Sequence, residues 1–173
     1  MAIYNGKHVV FEQVGVDTAS YIWNSQSNTD SDGCSNNYEI SDIRNTLAIT
    51  ILPKLSDELT NELVSTTVQT AKNGNSATLV STTDKLFLSA GKEIGYTTYT
   101  VSEENNALTT WQYWTSHITN TAHIKYENST ARKWWLRSPK KDTSGSSYSV
   151  STSGFQTDNL SYSSSHVSSC FAW

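Results

Sequence analysis

The stretch Trp134-Trp135-Leu136-Arg137-Ser138-Pro139 marks the point at which the character of this chain changes. Before it, spaced apolar residues and mixed charges are typical of a folded domain. After Lys141 there is no Lys, Arg or Glu, and such a composition is typical of a flexible tail. The chain nevertheless ends in Val167-Ser168-Ser169-Cys170-Phe171-Ala172-Trp173. We therefore predict that Phe171 and Trp173 anchor a last strand in the core, and that the Ser/Tyr-rich segment before it is a displayed loop.

The Trp-rich stretch itself predicts a strand. Alternation sends Trp134 and Leu136 to one side and Trp135 and Arg137 to the other, and we expect one of these sides to be core. A planar guanidinium with five donors suits a buried anchor that bonds loop carbonyls or a carboxylate. We therefore interpret Arg137 as scaffold, with direct ligand contact as the alternative.

Two helices are predicted between the terminal strands. Ser41 is a good N-cap, and Ile43, Leu47 and Ile51 follow at helical spacing before Pro53 ends the helix. A second helix begins after Ser56, and residues 108–118 are a third candidate. Residues 24–37 indicate a loop, and the Asn-Gly-Asn sequence at 73–75 indicates a hairpin. Strand candidates are residues 9–14, 19–23, 84–89, 133–137, 147–152 and 167–173.

This order of elements predicts one α+β domain over residues 1–173, with a mixed or antiparallel sheet that joins the N- and C-terminal strands. At 173 residues the chain is long enough to bury a core without disulfides or metals. Cys34 and Cys170 either pair with each other or are free thiols.

Charge and hydropathy exclude several classes of protein. Only 16% of the residues are charged, the net charge is −4 and no basic face is evident, so we expect no nucleic-acid partner. No apolar stretch reaches membrane-spanning length and no secretory signal is present at the N-terminus. We expect a virion or extracellular-surface location reached without a signal peptide.

No pattern indicates catalysis, a cofactor or a metal. The four histidines have no metal-ligand spacing, and neither a phosphate-binding loop nor a nucleophile elbow is present. Glu103-Glu104 and Asp57-Glu58 are adjacent carboxylates, which we interpret as solvated charge. The sequence therefore predicts a protein that is not an enzyme.

The segment from 146 to 169 has the composition of a binding surface. Tyr offers a large, rigid contact area, and Ser and Asn offer adaptable hydrogen bonds. The predicted ligand-binding residues are Tyr148, Phe155, Thr157, Asp158, Asn159, Tyr162, Ser163, Ser164, Ser165, His166 and Ser168.

Several blocks together carry a family resemblance. They are Ser41-Asp42-Ile43-Arg44, Asp84-Lys85-Leu86-Phe87-Leu88-Ser89, the Trp-Trp-Leu-Arg-Ser-Pro run, Ser153-Gly154 and the closing Val167-x-x-x-Phe171. Over residues 18–173 the chain resembles bacterial and phage "WLRS" domains of unknown function. These are similar to the C-type-lectin-like variable proteins of diversity-generating retroelements, which include phage tropism determinants. The closing segment departs from the family, because His166 stands where Gly usually precedes the Val.

The resemblance implies a C-type-lectin-like fold and a gene whose 3′ end is diversified at adenines. Codons varied in this way encode Tyr, Ser, Asp, His, Thr, Gly, Cys or Phe but not Gln, so Gln156 would be fixed scaffold. A Ser-rich surface loop without diversification is the alternative.

We therefore expect a non-enzymatic receptor- or host-recognition protein whose partner is a protein or glycan receptor on a cell surface. Weak individual contacts favour several copies, and the resemblance suggests a homo-oligomer, specifically a trimer. The alternative function is a structural or assembly module of a phage virion or bacterial surface protein.

Overall fold

The computed structural model describes residues 2–4, 8–96 and 101–173, in which short strands predominate. The strands are β1 Ala2–Tyr4, β2 His8–Glu12, β3 Ser20–Ile22, β4 Thr66–Ala71, β5 Leu79–Asp84, β6 Phe87–Leu88, β7 Lys125–Glu127, β8 Thr130–Arg132, β9 Trp134–Pro139, β10 Ser146–Val150, β11 Gln156–Leu160, β12 Ser164–His166 and β13 Ser169–Ala172. The α-helices are α1 Asp42–Thr46, α2 Asp57–Glu62, α3 Ser102–Ala107 and α4 Gln112–Ser116.

Two sheets organise the chain. The larger has the strand order β11-β10-β9-β12-β3, and its one parallel pair is β9 with β12. The second has the order β1-β2-β13-β6, and β13 runs antiparallel to both β2 and β6. The strands of the two chain ends therefore share a sheet, as predicted, and the fold is α+β with mostly antiparallel sheets and few helices. Two hairpins, β4-β5 and β7-β8, complete it.

Strand β9 lies between two apolar clusters. Trp134 and Leu136 enter the cluster that contains Val150 and Ala172, whereas Trp135 enters the cluster around the first helix. The predicted alternation is confirmed, but the expectation of a single core side was wrong. Every residue of β9 is buried, because elements cover the strand on both faces.

The predicted helix caps are confirmed. The Ser41 hydroxyl accepts a hydrogen bond from the Arg44 amide, and the helix continues through a π-helical segment, Leu47–Ile51, to a 3-10 turn that contains Pro53. Ser56 caps α2 in the same way, through the Leu59 amide. The third predicted helix is shorter than expected, since α4 covers five residues, and α3 was not predicted. No helix in the described part of the chain is both long and apolar enough to cross a membrane.

The last strand is anchored in the core, but Trp173, one of the two residues that we predicted to anchor it, is exposed. Cys170 and Ala172 are completely buried, whereas Trp173 is 57% exposed. Phe171 is half-buried and stacks on Phe11 of β2, with ring centroids 5.5 Å apart. Strand alternation places Cys170 and Ala172 in one apolar cluster and turns Phe171 toward the cluster around the first helix. The prediction was therefore wrong for Trp173 alone.

Residues 146–169 do not form a single displayed loop. They contain β10, β11 and β12, and all of β10 is buried. A polar strand can be buried when it has a neighbour on each edge, since both sets of backbone groups are then paired. The strand predicted at 147–152 is therefore confirmed as β10, and the expectation that the whole segment is a displayed loop was wrong.

Candidate functional site

The exposed part of the C-terminal segment follows the edge strand β11. Phe155 precedes this strand, and Tyr162 follows it. The side chains of Phe155 and Tyr162 are 56% and 45% exposed, and those of Asp158 and Leu160 are also exposed. At about 3.4 Å per residue, Phe155 and Leu160 are separated by about 17 Å. We call these four residues the β11 face: Phe155, Asp158, Leu160 and Tyr162.

The predicted binding residues divide into three groups by burial. Those exposed are Phe155, Asp158, Tyr162 and Ser164. Those half-buried are Thr157, Asn159, Ser163 and His166. Those buried are Tyr148, Ser165 and Ser168. Leu160, which was not predicted, joins the exposed group.

The expectation that all of these side chains face solvent was wrong for the third group. Tyr148 lies on the internal strand β10 and packs in the same cluster as Val150. Burial raises the pKa of the Tyr148 hydroxyl to about 12. The Ser165 hydroxyl lies 3.4 Å from the Asn159 amide, and the Ser168 hydroxyl donates to the Gln13 carbonyl. These three residues hold the scaffold together.

His166 is also directed away from the β11 face. It lies on β12, and its Nε2 is 3.6 Å from a carboxylate oxygen of Glu127 on the β7-β8 hairpin. That carboxylate also binds Arg132. His166 therefore belongs to a polar cluster around Glu127.

The turn between β10 and β11 holds Phe155 in place. The Ser151 hydroxyl accepts a hydrogen bond from the Phe155 amide, and the Tyr96 hydroxyl donates to the Gly154 carbonyl. Gly154 has a φ of +77°, and a Cβ at this position would lie 1.6 Å from the Asn120 carbonyl oxygen. Only glycine fits so close to another backbone.

A polar groove of about 680 Å³ begins at the other end of the β11 face. Leu160 and Tyr162 line one part of it, and the 26–35 and 142–146 loops line most of the rest. The lining side chains that are exposed and polar are Gln26, Thr29, Asn75, Asp142, Ser144 and Tyr162. Asp142 is the one charged residue among the described residues that line it.

Buried asparagines fix the two loops of the groove. The Asn36 side chain donates to the carbonyls of Thr143 and Ser146, at 2.9 Å each. Its carbonyl oxygen accepts from the Gly74 amide, and the Ser35 amide donates to the Ser144 carbonyl at 2.7 Å. The sequence predicted the first of these loops, at residues 24–37, but missed the role of Asn36, and the concentration of Asn, Ser and Gly was the available signal.

Gly74, in the turn between β4 and β5, packs against the 140–146 loop. A Cβ there would lie 2.0 Å from the Lys140 carbonyl oxygen and 2.3 Å from that of Thr143. The hairpin therefore contacts the 140–146 loop backbone to backbone. Consequently the groove has a rigid wall.

The charges of the β11 face are balanced. Asp158 binds the Lys140 ammonium at 2.9 Å, and both side chains are partly exposed. Such a pair contributes little to stability, about 0–1 kcal/mol. It leaves the face nearly neutral beside its aromatic residues. Gln156, on the same strand, is half-buried, and its Nε2 has no hydrogen-bond partner among the described residues.

Arg137 is the buried anchor that we predicted. Its two terminal nitrogens bind the two carboxylate oxygens of Glu93 at 2.6 Å each. It also donates to the carbonyls of Leu88 and Gln69. The bidentate pair with Glu93 and the bonds to the two carbonyls join β9 to β4, β6 and the 91–95 turn, which anchors the strand next to β10.

The interpretation of Glu103-Glu104 as solvated charge was wrong for Glu104. This carboxylate is completely buried and accepts hydrogen bonds from the Thr70 hydroxyl, the Ala71 amide and the Ser138 hydroxyl. Burial raises its pKa. Glu104 therefore ties α3 to β4 and β9, and the unpredicted helix explains why the error arose.

A larger cavity of about 760 Å³ lies elsewhere, between β4 and the segment that joins α3 to α4. Val10, Phe87 and Trp111 contribute to its lining. Its carboxylate, Glu93, is already held by Arg137. The described lining therefore offers mainly apolar surface and hydroxyl groups.

The cysteines are buried free thiols, so the disulfide that the sequence left open is absent. Burial raises the pKa of both the Cys34 and the Cys170 thiol, which disfavours the reactive thiolate. Over residues 2–4, 8–96 and 101–173, no group of three or more His, Cys, Asp or Glu side chains is arranged to hold a metal ion.

Comparison with known proteins connects the chain to one described family. Residues 9–172 match the model of a family described as a domain of unknown function (DUF6273). Neither the curated proteins nor the solved structures provide a significant match. Because the family match extends over nearly the whole chain, this protein is a member of the DUF6273 family.

Proposed function

We propose that this protein is a non-enzymatic recognition protein that binds a cell-surface receptor through the β11 face and the adjoining groove. The observation that carries the proposal is the exposure of Leu160 on the edge strand β11 and of Phe155 and Tyr162 just before and just after it. Exposed aromatic side chains in a fixed setting contribute large contact areas at low entropic cost. One such contact contributes about 1–2 kcal/mol, so several contacts or several copies are needed for useful affinity.

The scaffold belongs, in this proposal, to the C-type-lectin-like variable proteins of diversity-generating retroelements. Two features support it: β2 pairs with β13 so that the chain ends meet, and two capped helices lie between the terminal strands. A diversified protein must also vary at residues that do not support its core. Phe155, Asp158 and Tyr162 meet this requirement, since each is exposed and each is encoded by the permitted codons.

Gene comparison provides the first test. Copies from related isolates should differ mainly at Phe155, Asp158, Tyr162 and Ser164, beside an adenine-rich near-copy of the gene's 3′ end. Tyr148, Ser165 and Ser168 should stay constant, because they are buried. Uniform drift along the chain would contradict diversification and favour an assembly module.

A pair of randomised libraries tests the scaffold directly. One library varies Phe155, Asp158, Tyr162 and Ser164, and its matched control varies Tyr148, Ser165, Ser168 and Ser147, all of which are buried. We expect most members of the first library to stay folded, as measured by protease resistance, and selection against hen egg-white lysozyme to yield binders. Equal loss of folded members in both libraries would contradict the proposal that the β11 face can vary without disturbing the scaffold.

A further inference from the structure

We infer that the polar groove beside Tyr162 binds a neutral oligosaccharide, an inference that rests on the recognition function proposed above and names the ligand class of the same site. The groove's volume of about 680 Å³ lies within the range of about 300–1,000 Å³ that is usual for small-ligand sites. A short chain of sugar rings is of this size.

The polar groups of the groove are free to bind. Gln26, Thr29, Ser144 and Tyr162 make no side-chain hydrogen bond within the described part of the chain, and Asn75 makes only a 3.8 Å contact with the Cys34 sulfur. Amides and hydroxyls both donate and accept, as sugar hydroxyls do. The groove therefore offers complementary partners for a polyhydroxylated ligand.

Tyr162 and Leu160 supply the apolar part of the site. Each is 45% exposed, and both line the groove. A sugar ring has apolar C–H faces as well as hydroxyls, and Tyr pairs an apolar body with a polar tip. We therefore expect the Tyr162 ring to pack against one sugar face while the hydroxyls contact the amides.

Charge distinguishes neutral from acidic glycans. Asp142 is the charged residue among the described lining residues, so sulfates, phosphates and sialic acids find no cation there and meet a carboxylate. Asp142 has a φ of +60°, a conformation that Asn also adopts readily, so Asp142→Asn removes the charge with little strain.

The groove is preorganised, because its 142–146 loop is held by contacts within the protein. Asn36 and Gly74 hold the 142–146 segment through hydrogen bonds and backbone contact, so binding orders little additional chain. Preorganisation lowers the entropic cost of binding, which matters for a ligand whose individual contacts are weak.

The test is an array of neutral, sialylated and sulfated oligosaccharides, followed by titration of any hit with amide chemical shifts as the readout. We expect neutral glycans to bind and to shift the amides of Gly33, Gly145 and Tyr162. Tyr162→Ala should lower the affinity by about tenfold, and Tyr162→Phe by less than about threefold. The matched control Tyr126→Ala, at a tyrosine of β7 that is 51% exposed, should leave binding unchanged.

Three outcomes would overturn the inference: no neutral glycan binds, only acidic glycans bind, or binding survives Tyr162→Ala together with Asn75→Ala. Asp142→Asn should narrow the preference for neutral over sialylated glycans. If no glycan binds while the library on the β11 face still yields binders to a protein target, the inferred ligand class is wrong but the proposed recognition function of the β11 face is retained. If both fail, the proposed function fails with it.

Discussion

Strands β10 and β11 are partners in one hairpin and have similarly polar sequences, Ser-Ser-Tyr-Ser-Val and Gln-Thr-Asp-Asn-Leu, yet their burial is opposite. All five residues of β10 are buried, whereas none of the five in β11 is. Strand β10 has β9 on one edge and β11 on the other, while β11 ends the sheet. Position in the sheet, more than composition, decides which polar strand is available for recognition.

The largest expected effect comes from breaking the Arg137–Glu93 ion pair, which anchors β9, the strand next to β10. Arg137→Met leaves the Glu93 carboxylate buried without its partner, and we expect a loss of about 3–5 kcal/mol in the free energy of unfolding. Urea denaturation measures it. The double variant Arg137→Met/Glu93→Gln should recover part of this loss, since no charge is then left unpaired. A single variant as stable as the wild type would mean that the ion pair does not hold the sheet.

The turn between the two strands provides the next test. Gly154→Ala places a Cβ against the Asn120 carbonyl in a left-handed backbone conformation, and we expect a loss of about 2–4 kcal/mol. Gly33→Ala is the matched control, because Gly33 also has a positive φ (+73°) but nothing lies within 4 Å of the added Cβ. The control should lose only about 1–2 kcal/mol by thermal unfolding. Equal losses would show that conformation alone matters.

A smaller effect concerns the pH dependence of the buried acid Glu104. Burial raises the pKa of Glu104 in the folded state above the ordinary 4.5. The contribution of Glu104 to the free energy of unfolding is therefore complete below pH 4.5, and it is lost as the pH rises through the folded-state pKa. For one titrating group, the free energy of unfolding changes by at most about 1.4 kcal/mol per pH unit. Glu104→Gln should remove this slope in urea titrations over a series of pH values. Glu103→Gln, at the partly exposed neighbour, should leave it unchanged.

The smallest effect on stability is expected on the β11 face itself. Tyr162→Ala should change the free energy of unfolding by less than about 0.5 kcal/mol, because the residue is a surface position. Tyr148→Ala, on the buried strand, should cost about 3 kcal/mol in the same denaturation experiment. If the two substitutions lower the free energy of unfolding equally, the difference in burial between β10 and β11 has no consequence for stability.

Local patterns identified much of the fold correctly. The caps at Ser41 and Ser56, the alternation of β9 and the scaffold role of Arg137 all depend on neighbouring residues or on side-chain chemistry. The candidate site was only partly predictable. Phe155, Asp158 and Tyr162 were identified by composition, but the same rule wrongly included Tyr148, because composition carries no information about strand neighbours.

The errors share one cause. Glu104 was expected in solvent and Trp173 in the core, and both predictions followed ordinary polarity rules. Three buried donors compensate the Glu104 carboxylate, and strand alternation turned Trp173 outward. The donors to Glu104 cannot be identified from the sequence around it, because the fold brings them from distant parts of the chain.

The amino-acid sequence by itself determined the α+β class, the starts of the first two α-helices and the strand β9 that lies between the two apolar clusters, since these depend on spacing within a few residues. Only the tertiary structure decided which polar strand ends the sheet, that Asn36 and Gly74 shape the groove, and that Phe155 and Tyr162 lie at opposite ends of β11. These features depend on contacts between residues as far as about a hundred positions apart, where pairing and packing across the sheet determine exposure.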